Sequence, residues 1–153
     1  GQEEVLLLEA NIDDMNPEFY DYLMDIFLQA GALEVFFHPI HMKKNRPAVL
    51  LKLLIKPGQL EEFTHLLLAE SSSIGLRVYP AAKLMLPYKI ISVETKLGTA
   101  RVKVAVSGEC IRNISPEYED CRQIAQERKM PLKEVYDLVK GEAYRFLQRK
   151  DRS

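Results

Sequence analysis

The stretch VLLLEANIDDMNPEFYDYLMDIFLQAG, residues 5–31, decides the fold of this chain. Its first part, Val5 to Ile12, is almost continuously apolar, which predicts a strand in the centre of a sheet. Asn16 and Pro17 favour the start of a helix, and apolar side chains then recur on one helical face as far as Gly31. A strand followed at once by a helix opens a mixed α+β fold.

The next segments complete a familiar order of elements. Leu33 to His41 and Ala48 to Lys56 predict two strands joined by a short basic turn. Apolar residues at helical spacing after Pro57 predict a second helix, and Ile74 to Tyr79 predicts a fourth strand. The order βαββαβ is that of a ferredoxin-like subdomain over residues 1–80, whose fourth strand lies beside the first, then the third, then the second.

Residues 81–153 predict a second subdomain, built from a β-hairpin and helices. Lys89 to Thr95 and the alternating residues after Gly98 form the predicted hairpin. Ser115-Pro116-Glu117 is typical of a helix start, and that helix would run through Arg128. A last helix carries an apolar stripe, which the hairpin or a partner subunit must cover. The fold class is therefore α+β, and Gly1 in place of Met indicates a tag remnant or a fragment of a longer protein.

The composition excludes several classes of protein. The chain has 153 residues, with 21 basic and 22 acidic side chains and a net charge of −1. No overall field therefore attracts nucleic acid or an acidic membrane surface. No apolar run reaches the roughly 20 residues that span a bilayer, and the start lacks a signal peptide, so we expect a cytoplasmic protein without a membrane partner. Cys110 and Cys121 lack paired metal-ligand spacing and are predicted to be free thiols in the core.

A cluster of carboxylates follows the first predicted strand. Asp13, Asp14 and Glu18 supply hard oxygen ligands within a short segment, and this composition suits Mg²⁺ or Mn²⁺. The same side chains would also complement the positive end of the first helix. The residues alone leave both interpretations open.

Cations and hydroxyls follow in two other predicted loops. Lys43, Lys44 and Arg46 could neutralise a triphosphate, or could simply form a solvated turn. The serine-rich residues 71–75 could present hydroxyls and backbone N–H groups to phosphate, or could only end the second helix. In the predicted strand order, both loops and the carboxylates lie at the same end of the sheet. This convergence favours a site for a metal ion and phosphates.

Several common catalytic motifs are absent from the sequence. The chain has no GxxxxGK phosphate loop, no GxGxxG at a helix start and no recognisable Ser/His/Asp order. His38 and His41 would lie on opposite faces of a strand, and His65 would be exposed on a helix, so we expect no shared histidine metal site.

Five motifs together resemble one family. They are EANIDDMNPE (9–18), GALEV (31–35), PIHMKKNRP (39–47), SSIGLR (72–77) and PEYEDC (116–121). From about Val5 to Leu147 the chain resembles the carboxy-terminal half of the LarC family, nickel-insertion proteins that mature the lactate racemase cofactor. The resemblance implies a CTP-dependent chelatase that places nickel in pyridinium-bisthiocarboxylate mononucleotide, and a homo-oligomer, hexameric or trimeric. Because the family's amino-terminal half is absent, complete nickel insertion is not expected of this piece alone.

The resemblance also implies a role for each polar group. The ligands of Mn²⁺ or Mg²⁺ would be Asp13, Asp14 and Glu18, and the predicted catalytic cations that meet the triphosphate would be Lys43, Lys44 and Arg46. The CTP site would be completed by Asn11, Ser72, Ser73 and Arg77. A second acidic group consists of Glu117, Glu119 and Asp120. It would cap a helix, or it would contact the metal or the cytosine amino group. A solvated strand face, or a contact to a neighbouring subunit's phosphate, would be formed by Lys96, Arg101 and Lys103.

Two other classes of protein serve as alternatives. A non-catalytic ligand-binding and oligomerisation module of the same shape would bind nucleotide without turnover. An RNA-binding module would need exposed aromatic residues interleaved with basic residues on central strands. The sequence supplies neither that pattern nor a positive net charge, so nucleic acid is not an expected partner.

Overall fold

The computed structural model describes residues 1–13 and 15–151, so Asp14 lies outside the described residues. The chain forms two compact units. One covers Gln2–Leu84, and the other runs from Met85 onwards and takes in Gly1. No described helix combines the length and apolar character needed to cross a membrane.

The first unit has the βαββαβ order that the sequence predicts. Its elements are β1 (Gln2–Asp13), α1 (Pro17–Gln29), β2 (Glu34–Met42), β3 (Arg46–Ile55), α2 (Leu60–Glu70) and β4 (Arg77–Leu84), with short 3₁₀ turns at Lys43–Asn45 and Pro57–Gln59. The sheet order is β2-β3-β1-β4, and every neighbouring pair is antiparallel. The ferredoxin-like prediction is confirmed.

The start of α1 follows from two residues. The Asn16 side chain accepts a hydrogen bond from the backbone N–H of Glu18 at 3.1 Å, which satisfies one of the unpaired donors of the first turn. Pro17 occupies the first helical position, where its missing N–H costs nothing. After the helix, Gly31 has a φ of 103°, a conformation that side-chain-bearing residues rarely adopt.

The predicted start of the fourth strand is wrong by three residues. β4 begins at Arg77, and Ile74 lies fully exposed in the preceding loop. The serines explain the difference, because Ser71 bonds back to the Leu67 carbonyl and Ser73 bonds across to β1. These side-chain bonds hold the loop in place of ladder pairing.

Alternation along β1 separates the core from the other side of the sheet. Leu8, Ala10 and Ile12 are fully buried beneath the helices, together with Phe27 of α1 and Phe63 of α2. Burying a leucine, isoleucine or phenylalanine side chain contributes about 1.5–3 kcal/mol. The residues between them point the opposite way, to the side that we name the open face. On β1 the open face carries Glu9, Asn11 and Asp13.

The second unit contains a three-stranded sheet, so the prediction of only a hairpin is corrected. Its elements are β5 (Tyr88–Thr95), β6 (Gly98–Ser107), β7 (Cys110–Pro116), α3 (Tyr118–Arg128) and α4 (Leu132–Asp151), with sheet order β5-β6-β7. A register shift between Ala105 and Val106 lets Ile111 and Ile114 pair with Val106 and Val104 on the same face of β6, although the two isoleucines are an odd number of residues apart. This irregularity hides the period of two that identifies a strand.

The predicted start of α3 at Ser115 is also corrected, because the third strand extends further than expected. Ser115 and Pro116 belong to β7, where they pair with Lys103 and Val102 of β6, and the helix begins at Tyr118. β7 lies at the edge of its sheet, where a proline without an N–H is tolerated.

The core of the second unit is covered by α4. Its stripe of Val135, Val139, Ala143 and Leu147 is buried with Val102 and Val104 of β6 in one cluster. Cys121 also lies in this core, and burial raises the pKa of its thiol. Cys110 is exposed instead of buried as predicted, because it stands at the turn into β7.

Candidate functional site

The candidate site lies at one end of the four-stranded sheet, where β1 and β2 end and β3 begins. Across the sheet, Asp13 and Ile40 both pair with Ala48, and Met42 pairs with Arg46. The last residues of β1 and β2 therefore lie level with the start of β3. We name this place the upper end of the sheet, and the basic turn 43–45 follows it directly.

A carboxylate and a cation share the open face at the upper end. Ala48 pairs with Asp13, and Arg46 lies two residues before Ala48 on the same face of β3. Diagonal neighbours of this kind are separated by about 7–8 Å. Ligand groups of a few ångströms, such as a metal ion with phosphate oxygens, would fit between them. Asp13 and Arg46 are both exposed.

The basic turn holds its backbone in an unusual conformation. Lys44 has φ 61° and ψ 26°, and Asn45 has φ 57°. A left-handed conformation costs a residue with a Cβ atom about 1–2 kcal/mol, and such residues cluster at functional sites. Within residues 1–13 and 15–151, no carboxylate lies at ion-pair distance from the three cations of the turn, Lys43, Lys44 and Arg46. All three are exposed and can meet an anion.

The serine-rich loop is tied to the end of β1. The Ser73 hydroxyl donates to the Asn11 carbonyl at 2.8 Å, and the Ser71 hydroxyl donates to Leu67 at 2.7 Å. Ser72 is exposed. Ser73 therefore fixes the loop against β1, and donating to a phosphate would require its hydroxyl proton to change partner.

Arg77 lies against β1 on the open face. Its Nη2 donates to Asn11 Oδ1 at 2.9 Å, and its Nε lies 3.4 Å from Glu9 Oε2. Glu9 also pairs with Lys52 Nζ at 3.4 Å. Glu9 is not among the site residues predicted from the sequence. The available signal was that it is the only charged residue in the apolar run from Val5 to Ile12.

The carboxylate set is described only in part. Asp13 and Glu18 are exposed, whereas Asp14 lies outside the described residues. Among the described residues, no group of three or more His, Cys, Asp or Glu side chains is placed to hold a metal ion. Mg²⁺ generally needs only one or two carboxylates together with waters and phosphate oxygens. The assignment of Asp13, Asp14 and Glu18 to a metal therefore stays a prediction.

The second acidic group is engaged within its own unit. Asp120 accepts hydrogen bonds from the backbone N–H of Arg101 at 2.8 Å, from Nε at 3.0 Å and from Nη2 at 2.9 Å. Glu119 pairs with Arg122 at 2.9 Å, and Glu117 makes no side-chain cap. Asp120 thus joins α3 to β6.

The cations of this unit differ in their surroundings. Lys96 is exposed, while the Lys103 ammonium lies 4.8 Å from the centroid of the Tyr88 ring. Arg101 already directs its fork at a carboxylate, so contact with a neighbouring subunit's phosphate would require it to leave Asp120.

The Arg101 pair predicts a pH-dependent stability. Hydrogen bonds from Arg101 hold the pKa of Asp120 below its usual value. The contribution of this pair to the stability of the fold is complete above the unfolded pKa of aspartate, about 3.9. It is lost as the pH falls through the lower pKa that Asp120 has in the folded protein. We expect Asp120→Asn to lower the Tm at pH 7 and to lower it much less at pH 2.5, as measured by thermal unfolding.

A matched control comes from the same helix. Glu119→Gln removes an exposed ion pair and should change the Tm little at either pH. An equal loss for Asp120→Asn at both pH values would contradict the assignment.

The sheet order, the two helices and the cationic turn at the upper end define a two-unit α+β protein whose first unit is ferredoxin-like. The chain belongs to the nickel insertion protein family, whose model, described as "Nickel insertion protein", matches residues 1–136. This confirms the family resemblance inferred from the motifs. His38 contacts the Phe36 ring, and His65 is exposed.

Two relatives carry the same full name, pyridinium-3,5-bisthiocarboxylic acid mononucleotide nickel insertion protein. That of Desulfitobacterium hafniense (strain Y51) is 52% identical over 140 residues, which cover 92% of this chain and 35% of the relative. That of Thermotoga petrophila is 47% identical over 137 residues, covering 90% and 34%. The chain thus spans about a third of the length of the curated relatives it matches.

Solved structures extend the comparison. One is LarC2, the C-terminal domain of a cyclometallase involved in the synthesis of the NPN cofactor of lactate racemase, in its apo form. It is 36% identical, with a TM-score of 0.83, and the match covers 94% of this chain and 99% of that one. A protein from Methanopyrus kandleri, 20% identical with a TM-score of 0.58 over 92% of this chain and 89% of its own, shares the fold.

Proposed function

We propose that this chain is the CTP- and divalent-metal-binding part of a nickel insertase. The complete enzyme would place nickel, its metal substrate, in pyridinium-bisthiocarboxylate mononucleotide and so form the nickel-pincer cofactor of lactate racemase. The observation that carries the proposal is that the exposed cations of residues 43–46 and Asp13 lie at the same end of the sheet. The names of the relatives support the substrate, and the remaining two thirds of such proteins would supply the rest of the activity.

The chemistry of the residues at the upper end suits a nucleoside triphosphate with a divalent ion. The triphosphate would be held by Lys43, Lys44 and Arg46, where arginine provides a fork and lysine a point charge. The same nucleotide would be contacted by Asn11, Ser72, Ser73 and Arg77. The carboxylates Asp13, Asp14 and Glu18 would hold Mn²⁺ or Mg²⁺, directly or through water. When bound, this ion would supply positive charge that offsets the negative charge of the phosphates.

The cations of the turn would act during cleavage of a phosphoanhydride bond. In hydrolysis, a water oxygen would form a bond to phosphorus as the phosphoanhydride bond breaks, and the electron pair of the broken bond would stay with the departing phosphate oxygen, where negative charge develops. Lysine and arginine side chains fixed around this oxygen stabilise the charge in the transition state. The left-handed backbone at Lys44 limits the directions in which its ammonium can be presented.

Calorimetry tests the binding part of the proposal. The chain would be titrated with CTP, ATP and GTP, each with and without Mn²⁺. The proposal expects CTP to bind more tightly than the purine nucleotides and to depend on Mn²⁺. If none of the three nucleotides binds, the proposal is refuted.

The metal assignment predicts a selective effect of two substitutions. Asp13→Asn and Asp14→Asn each remove one ligand charge, so each should raise the Kd of CTP by about tenfold in Mn²⁺ but by less than about twofold without it. Calorimetry with and without Mn²⁺ measures both constants. Asp21→Asn, an exposed change later on α1, serves as the control. Equal effects with and without metal would favour an electrostatic role at the start of the helix.

A non-catalytic ligand-binding and oligomerisation module is the second candidate. The observation that favours it is the exposure of large apolar side chains, with Ile74 and Leu84 more than three-quarters exposed. Such side chains suit contacts with other subunits. Light scattering would test for a trimer or hexamer, and a time course of CTP hydrolysis would separate the two candidates. Binding without hydrolysis, even with the complete protein, would favour the module.

A further inference from the structure

We propose that Glu9 is the positioning residue of the nucleotide site, because it holds Arg77 in place for contact with the phosphates. The inference rests on the proposed function and assigns a role to a residue that the nucleotide does not touch. Glu9 lies on the open face of β1, directly opposite Arg77 of β4 and Lys52 of β3. Only 15% of its side chain is exposed.

The contacts show how the guanidinium of Arg77 is aimed. Its Nε faces Glu9 Oε2 at 3.4 Å, while Nη2 bonds Asn11 Oδ1 at 2.9 Å. Asn11 lies two residues nearer to the upper end than Glu9, so the arginine leans towards that end. Its partners in the described part of the chain are these two residues of β1. With 46% of the side chain exposed, the rest of the fork faces outward.

Distance decides between a positioning role and a direct electrostatic one. Glu9 lies four residues from Asp13, which is about 14 Å along a strand. The repulsion between Glu9 and a triphosphate at the upper end falls with this distance, and the two cations that pair with Glu9 offset it. Arg77 leans towards the upper end, and without Glu9 its flexible side chain would keep only the bond to Asn11 and would lose the second contact that fixes its direction. The positioning effect is therefore the larger one.

Charge balance supports the same role. One carboxylate, Glu9, faces two cations, so this row of the open face keeps a net positive charge. Glu9 therefore fixes Arg77 without cancelling the attraction of the site for an anion. Lys52 shares the same carboxylate at 3.4 Å, and it provides an internal control because, among the described residues, it pairs with Glu9 and makes no bond to Asn11.

A double-mutant cycle on CTP binding tests the inference. Glu9→Gln keeps the size of the side chain and removes its charge. We expect it to raise the Kd of CTP about tenfold in the wild-type background and less than about twofold in the Arg77→Ala background. Lys52→Met, which breaks the other ion pair of Glu9, should leave the Kd within about twofold of wild type.

A spectroscopic signal reports on Arg77 without any nucleotide. Its Nε–Hε resonance in ¹⁵N NMR should be observed and slow to exchange in wild type, retained in Lys52→Met and broadened or lost in Glu9→Gln. Equal weakening of CTP binding by Glu9→Gln in both backgrounds would indicate a purely structural role and overturn the inference. Tighter binding in both would indicate charge alone and also overturn it.

The cycle separates this inference from the proposed function. If the wild-type chain binds no CTP, the nucleotide site itself is refuted. If wild type binds CTP and Glu9→Gln binds equally well, only the positioning role of Glu9 is refuted.

Discussion

Lys44→Gly is expected to raise the Kd of CTP, measured in Mn²⁺ by calorimetry, by about ten- to a hundredfold. The reason is the loss of one charged hydrogen bond to the triphosphate, which contributes about 1.5–3 kcal/mol. Glycine is the informative substitution because Lys44 has a φ of 61°, a conformation that glycine adopts without strain. The free energy of unfolding should therefore stay equal to that of wild type or rise.

Asn45→Gly is the matched control for this experiment. It makes the same change at a neighbouring left-handed residue, with φ 57°, but removes no charge. Its Kd for CTP should stay within about twofold of wild type. Equal affinity of the Lys44→Gly variant and wild type would remove the basic turn from the nucleotide site.

Phe27→Ala is expected to lower the free energy of unfolding by about 3–5 kcal/mol. Phe27 is fully buried, and its ring centroid lies 6.4 Å from that of Phe63 on α2. Removing the ring leaves a cavity between the two helices and the sheet, which the close-packed core cannot fill completely. Urea denaturation followed by circular dichroism measures the change.

Phe19→Ala on the same helix provides the comparison. The Phe19 side chain is 56% exposed, so its removal should change the free energy of unfolding by about 0.5 kcal/mol or less. Equal losses for Phe19→Ala and Phe27→Ala would mean that α1 does not pack as described. Phe19→Ala makes the same change of residue type at an exposed position of α1. It therefore measures how much the change in helix propensity alone alters the free energy of unfolding.

The first unit was predictable because its elements differ clearly in period. Apolar continuity in β1, the Asn16-Pro17 cap and the helical spacing up to Gly31 all indicate the same structure. Once the order βαββαβ is recognised, the sheet order follows, and it brings the ends of β1 and β2 together. Sequence could therefore place the cations of residues 43–46 and Asp13 at one end of the sheet.

The remaining differences have local physical causes. The irregularity within β7 takes Ile111 and Ile114 out of the alternation that marks a strand. The contact between Asp120 and Arg101 joins residues nineteen apart through a pairing that sequence spacing does not reveal. Glu9 was overlooked because a single charge within an apolar run gives no sign of its partners on β3 and β4.

The left-handed turn at Lys44 and Asn45 has a consequence for the entropy cost of the proposed anion binding. A lysine on a flexible loop must search many backbone conformations before its ammonium faces a ligand, and this ordering opposes binding. Here the hairpin has already selected the backbone conformation during folding. Most of the remaining freedom lies in the side chain, so under the proposed function an arriving phosphate would meet a cation whose anchor point is fixed. Such preorganisation strengthens binding without adding a contact.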